Sequence, residues 1–187
     1  MAEFKYADES VVSVSQLMTP EWANFFGAVH GGHVLRLVDN TAYVCAARYS
    51  NKTICVTAAV DRVDFYEPVH VGELLNLSAR INYVGRSSME VEIDVFAENI
   101  ATGAVRHTNS CHLTMVAMED NKPVGVPKLI CRTREDKARY VQAKMRREMG
   151  LKYREERDRF LKQFDDMPDE TLDALIGDAK DPNVRGA

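Results

Sequence analysis

Residues 24–39 read Asn-Phe-Phe-Gly-Ala-Val-His-Gly-Gly-His-Val-Leu-Arg-Leu-Val-Asp, and the apolar character that begins near His33 runs on to Tyr49 without a Gly or Pro. The stretch is too long for one strand. Gly31 and Gly32 punctuate its start and Ser50-Asn51-Lys52 its end, so it predicts a long, largely buried helix. Asp39 stands inside it, among Val34, Leu35, Leu37, Val38, Ala42, Val44 and Ala46. An ionised carboxylate in apolar surroundings is costly unless it is hydrogen-bonded or charge-paired. About two turns into the helix it cannot serve as the N-cap. Two readings stay open: a catalytic base, or a structural hydrogen bond, for instance to another chain.

Downstream of the helix the period changes from that of a helix to that of strands. Thr53 to Phe65 begins as a continuous β-prone run and finishes by alternating, which predicts one long strand. Glu67-Pro68-Val69-His70-Val71-Gly72 is turn chemistry. Leu75, Leu77, Ala79, Ile81 and Tyr83 then alternate with polar neighbours, and after a Gly85-Arg86-Ser87-Ser88 loop so do Met89, Val91, Ile93, Val95 and Ala97. Ala104 to Met118 holds a fourth strand and Val11 to Leu17 an early short one. The fold class is α+β: one antiparallel sheet able to curl around one helix, with a second copy of the chain as the simplest cover for its remaining apolar surface.

The 187 residues suffice for one domain and an appendage. A hydrophobic content of 45%, a charged content of 28% and a net charge of -4 are those of a soluble globular protein with no general attraction to nucleic acid or anionic membranes. The first ten residues mix charges where a secretory signal needs an apolar run, so a cytoplasmic location is expected. Cys45, Cys55, Cys111 and Cys131 are widely spaced without a Cys-x-x-Cys pair and read as reduced, mostly buried thiols. Asn121 to Pro127 reads as a linker separating a domain at 1–130 from an extension at 131–187. Residues 132–164 hold 12 of the 24 Lys and Arg against six Asp and Glu, predicting a charged helical tail broken at Gly150, with Pro168 as a further boundary.

Several groups could carry chemistry. Backbone N–H groups at a helix start, approached closely across Gly31 and Gly32, can hold the oxygen of a polarised carbonyl, although a Gly-Gly pair also serves simple turns. Asn24, upstream of Gly27, is by itself a loop amide. His30 and His33 have i, i+3 spacing but no third ligand at a familiar offset from them and Asp39, so no metal is expected. Cys111 and His112, adjacent on a strand, point to opposite faces and make a poor nucleophile pair. His70 and His107 read as surface or turn residues, and the basic tail residues are interleaved with acids as on an ordinary solvated helix. The Gly85–Ser88 loop has a composition suited to phosphate, and equally that of a β-turn with an exposed Arg.

Taken together, Asn24-Phe25-Phe26-Gly27-Ala28-Val29-His30-Gly31-Gly32 running to Leu37-Val38-Asp39, then Val56-Thr57-Ala58-Ala59-Val60-Asp61-Arg62-Val63-Asp64-Phe65, and Val84-Gly85-Arg86-Ser87-Ser88-Met89 resemble the hotdog-fold acyl-CoA thioesterases of bacteria and of the animal cytosol and mitochondrion. The resemblance covers roughly residues 10–130. It implies a long central helix wrapped by a curved antiparallel sheet, dimers paired edge to edge, and a trimer of dimers. It further implies hydrolysis of acyl-CoA to free fatty acid and coenzyme A. Asn24 and Asp39 are then the catalytic pair, drawn from two protomers, with Gly31 and Gly32 at the thioester carbonyl and Gly85, Arg86, Ser87 and Ser88 near coenzyme A. No cofactor is implied, since coenzyme A belongs to the substrate. A thiol leaving group with a pKa near about 8.5 departs without strong acid help, so a carboxylate, an amide and backbone donors can suffice. The rivals are an acyl-thioester dehydratase or hydratase on the same fold, and a non-catalytic acyl-CoA-binding sensor.

Overall fold

The computed structural model describes residues 3–52, 54–61, 63–165 and 167–176. In chain order the elements are β1 (Phe4–Tyr6), β2 (Val12–Leu17), α1 (Gly31–Ser50), β3 (Cys55–Val60), β4 (Leu74–Val84), β5 (Ser88–Asn99), β6 (Ala104–Glu119), β7 (Lys122–Pro123), β8 (Lys128–Ile130), α2 (Arg134–Asp165) and α3 (Asp169–Ile176). Single 3-10 turns occupy Asp8–Ser10 and Pro20–Trp22. The chain divides into two compact units after Lys144.

The first unit is a hotdog: a curled antiparallel sheet in the order β2-β4-β5-β6-β3 around α1, with β7 paired to β6. Alternation in β4, β5 and β6 places Leu75, Leu77, Ala79, Ile81, Met89, Val91, Ile93, Val95, Ala97, Leu113, Met115 and Ala117 on the inner face, each fully buried. Against them α1 lays Val34, Val38, Ala42, Cys45, Ala46 and Tyr49. These are spaced at one helical face, and the small residues in the middle let the sheet approach closely. Burying each larger aliphatic side chain contributes about 1.5–3 kcal/mol. The helix starts where the His30 side chain accepts a hydrogen bond from the Gly32 N–H and stops where Asn51 turns left-handed, with φ 55°. Burial pushes the Cys45 and Cys111 thiols up to about 12, as expected of inert core residues.

Four expectations need correction. The strand expected over 53–65 is only Cys55–Val60, because its register with β6 breaks between Thr57 and Ala59 and the chain then leaves the sheet; Thr53 and Arg62 lie outside the described residues. Asn121 to Pro127 is no free linker. The Val124 N–H donates to Ala117 O, the Val126 N–H to Arg86 O and the Tyr49 hydroxyl to Pro127 O, and Val124 and Val126 pack on the core. β8 then pairs in parallel with β1. Helix α2 runs through Gly150 unbroken, since one Gly costs only about 1 kcal/mol relative to Ala in a helix of this length. Finally, α1 is amphipathic rather than buried all round: Leu35, Asp39, Tyr43 and Val44 lie on its exposed side.

Candidate active site

The loop before α1 is shaped by Asn24. Its backbone N–H donates to Ala28 O at 2.6 Å, and its side-chain Oδ1 accepts from the N–H groups of Phe26 at 2.8 Å and Ala28 at 3.2 Å. Both partners are donors, which fixes the amide with oxygen toward the loop and leaves Nδ2 without a hydrogen-bond partner among the described residues. Gly27, with φ 77°, makes the tight return that a side chain would strain. The loop borders a cleft of about 350 Å³ lined by Asn24, Gly31, Val34, Phe65, Tyr66 and Val69.

The two glycines at the helix start play different parts. The Gly32 N–H is taken by His30 Nδ1 at 3.1 Å, because the extended backbone of His30 sets its ring over the first turn as an N-cap. The Gly31 N–H has no acceptor among the described residues, and Gly31 lines the cleft. His33, expected as a possible ligand beside His30, instead stacks on Trp22 with ring centroids 3.8 Å apart. Burial, then the nearby Arg36, lower its pKa.

Asp39 is exposed in the single chain, because it lies one position, about 100° of rotation, past the core residue Val38. Its carboxylate is nevertheless held: Thr57 of β3 donates its hydroxyl to Asp39 Oδ1 at 2.6 Å. Oδ2 is left for other work. The sequence gave no sign of Thr57, since a threonine in a β-prone run is an ordinary strand residue. Eight residues separate Gly31 from Asp39, about 12 Å along the helix axis, and Asp39 does not border the Asn24 cleft. One chain therefore brings Asn24 together with Gly31, and Asp39 together with Thr57, but not the two groups with each other.

The Gly85–Ser88 loop joins β4 to β5. It is closed by the Gly85 N–H donating to Ser88 O at 2.8 Å, and strapped by the Val126 and Ala117 N–H groups donating to Arg86 O and Ser87 O. Its close packing explains the glycine, since a Cβ at Gly85 would stand 2.9 Å from Ser88 Oγ. Arg86 is exposed, and among the described residues its guanidinium has neither an ion pair nor a hydrogen bond.

Residues 26–104 match the thioesterase superfamily. A solved hexameric acyl-CoA thioesterase superposes with a TM-score of 0.77 at 34% identity, covering 81% of this chain and 97% of that one. The chain belongs to the acyl-CoA thioester hydrolase family of that superfamily. Protein VdlD of Helicobacter pylori is 47% identical over 143 residues, which are 76% of this chain and 82% of that protein. The acyl-CoA hydrolase of Staphylococcus aureus, solved with butyryl coenzyme A and coenzyme A, superposes with a TM-score of 0.76 at 27% identity, over 86% of this chain and 98% of that one. That hydrolase has also been solved as separate variants with an asparagine, an aspartate or a threonine replaced by alanine. Among the described residues no helix is long and apolar enough to cross a membrane.

Proposed function

We propose that the chain hydrolyses acyl-CoA thioesters to free fatty acid and coenzyme A at sites shared between two copies, each joining Asp39 of one chain to Asn24 of the partner subunit. The observation that carries this reading is the division of labour along α1. Hydrogen-bond donors, Asn24 Nδ2 and the Gly31 N–H, collect at one cleft, and the base, Asp39 steadied by Thr57, stands about 12 Å away. Neither half suffices for hydrolysis, and a two-fold pairing brings each half to its complement twice. The exposed Leu35, Tyr43 and Val44 of α1, with Val56 and Val60 on the edge strand β3, supply an apolar surface for such a pairing.

In this reading a water adds to the thioester carbonyl carbon as Asp39 takes its proton through Oδ2. The carbonyl oxygen becomes an oxyanion, which Asn24 Nδ2 and the Gly31 N–H stabilise. The oxyanion collapses, the C–S bond breaks and the electron pair leaves with sulfur as coenzyme A thiolate. The Thr57 hydroxyl keeps the carboxylate oriented and charged. Arg86 at the Gly85–Ser88 loop offers a cation to the phosphates of coenzyme A, and the loop's backbone and serines offer hydrogen bonds. The variants of the Staphylococcus aureus hydrolase at an asparagine, an aspartate and a threonine support these three roles, and the hexameric relatives support assembly as a homo-oligomer, which we read as a trimer of dimers.

Subunit complementation tests the shared site. Asn24→Ala and Asp39→Asn should each lose thiol release from acyl-CoA. Co-expressed, they form mixed dimers in which one of the two sites is fully native, and a random mixture should recover about a quarter of native turnover. Two inactive variants that recover nothing, while still assembling together, would place both residues in one chain's site and overturn the proposal.

A further inference from the structure

Helix α2 carries a stripe that the proposed chemistry does not use. Within the second unit Met145, Met149, Tyr153 and Phe160 are exposed at 56%, 59%, 66% and 57%, and with Phe164 they recur at the four- and seven-residue spacings of one helix face. Every residue from Leu151 to Gln163 is exposed. A hollow of about 550 Å³ runs along this face beside Tyr153, Glu156, Phe160 and Gln163. An amphipathic helix is held mostly by what covers its apolar face, so this stripe calls for an occupant.

The charges beside the stripe identify one. Glu148, Lys152, Glu155 and Arg159 line a single flank, and among the described residues none of them is in an ion pair. In a parallel, in-register pairing each would face its own copy, like charge against like. In an antiparallel pairing centred between Arg154 and Glu155, Glu148 meets Arg159 of the second copy and Lys152 meets its Glu155, giving four opposite-charge pairs by symmetry. The same register sets Met149 against Phe160, Met145 against Phe164, and the Tyr153 hydroxyl beside the Glu156 carboxylate. The opposite flank carries Arg157, whose charge is already answered by Asp158 at 2.8 Å.

We infer that the Met145–Phe164 face of α2 is an interaction surface for the same helix of a second copy, docked antiparallel in this register. It is independent of the α1 and β3 surface and gives the assembly a second kind of contact between chains.

Cysteine cross-linking in the full-length chain tests it. With both Met149→Cys and Phe160→Cys in one chain, mild oxidation should give a covalent dimer on a denaturing gel. The two positions are eleven residues apart on one helix, about 16 Å, so they cannot bridge within a chain. Met149→Cys alone should give none above the background of the native cysteines, three of which are buried. Adding Glu148→Lys should cut the dimer yield about fivefold by turning two attractions into repulsions, and Glu148→Lys with Arg159→Glu should restore it. Dimers from Met149→Cys alone would mean parallel pairing; no dimer from the double-cysteine chain, or a yield indifferent to Glu148→Lys, would mean the face is not paired this way. Any of the three overturns the inference.

Discussion

Asn24 does two jobs with two atoms, and a substitution can separate them. Its Oδ1 closes the loop by accepting from the Phe26 and Ala28 N–H groups, and its Nδ2 is the atom proposed to meet the substrate. Asn24→Asp keeps two acceptor oxygens in nearly the same place and makes the loop's hydrogen bonds charge-assisted, but has no N–H to give. Asn24→Ala removes both functions. Each loop hydrogen bond is worth about 0.5–1.5 kcal/mol, so Asn24→Ala should lower unfolding stability by about 1–3 kcal/mol while Asn24→Asp leaves it within about 0.5. Losing one donor to a developing oxyanion costs about 10²–10³ in turnover, and the added negative charge near that oxyanion can only deepen the loss. Denaturant unfolding and thiol release from acyl-CoA, measured on both variants, give two independent readings. Turnover of Asn24→Asp within about threefold of native would refute the role of Nδ2, and equal destabilisation of the two variants would refute the role of Oδ1.

Asp39→Asn should lose about 10²–10⁴ in kcat while sedimenting as the native assembly. Thr57→Ala removes a 2.6 Å hydrogen bond to a carboxylate and should lower kcat about tenfold, with Thr57→Ser recovering most of it; an unaltered rate would leave Thr57 a strand residue only. Arg86→Ala should raise KM for acyl-CoA about tenfold with kcat nearly unchanged, a pattern read directly from initial rates. Acid stability should depend on Glu92. The His112 ring at 3.5 Å first, then Asn82 at 2.9 Å and Arg139 at 3.3 Å, hold its carboxyl down to about 2 from an ordinary 4.5, against its partial burial. A depressed carboxyl stabilises the fold above pH 4.5 and loses that contribution as pH falls toward 2. Glu92→Gln should therefore flatten the fall in unfolding stability across that window, as followed by denaturant midpoints.

The parts of the fold legible in the sequence were those where one side of an element faces the core and the other faces water. β4, β5 and β6 announce themselves by strict alternation, and the structure puts their apolar sets inward without exception. The strap at 124–130 was misread because Pro123, Gly125 and Pro127 look like linker punctuation, whereas the hydrogen bonds that fix it come from Arg86, Ala117 and Tyr49, far away in sequence. A chain ending at Val126 should accordingly be destabilised, and one ending at Lys144 should unfold like the whole first unit. Of the site, Asn24, the glycines and Asp39 carried signals in their spacing. Thr57 and the His30 cap did not, since each becomes visible only when β3 or the loop is folded against α1.

The misreading of Asp39 explains the most. Apolar residues surround it in sequence on every side, and a helix apolar all round belongs in a core. Yet only one stripe of α1 is covered by its own sheet, and Leu35, Tyr43 and Val44 remain open beside the carboxylate. The sequence records the environment that α1 has in the assembled protein, not the one it has in a lone chain. A carboxylate that is exposed in one copy and expected between two can form its apolar, water-poor surroundings only on assembly, when the donor amide of Asn24 arrives with them. Folding alone would then leave an inert chain, and dilution below the dissociation constant of the pair should extinguish turnover in step with loss of the dimer. Activity that persists per chain in a verified monomer would break the link between the exposed face of α1 and the chemistry.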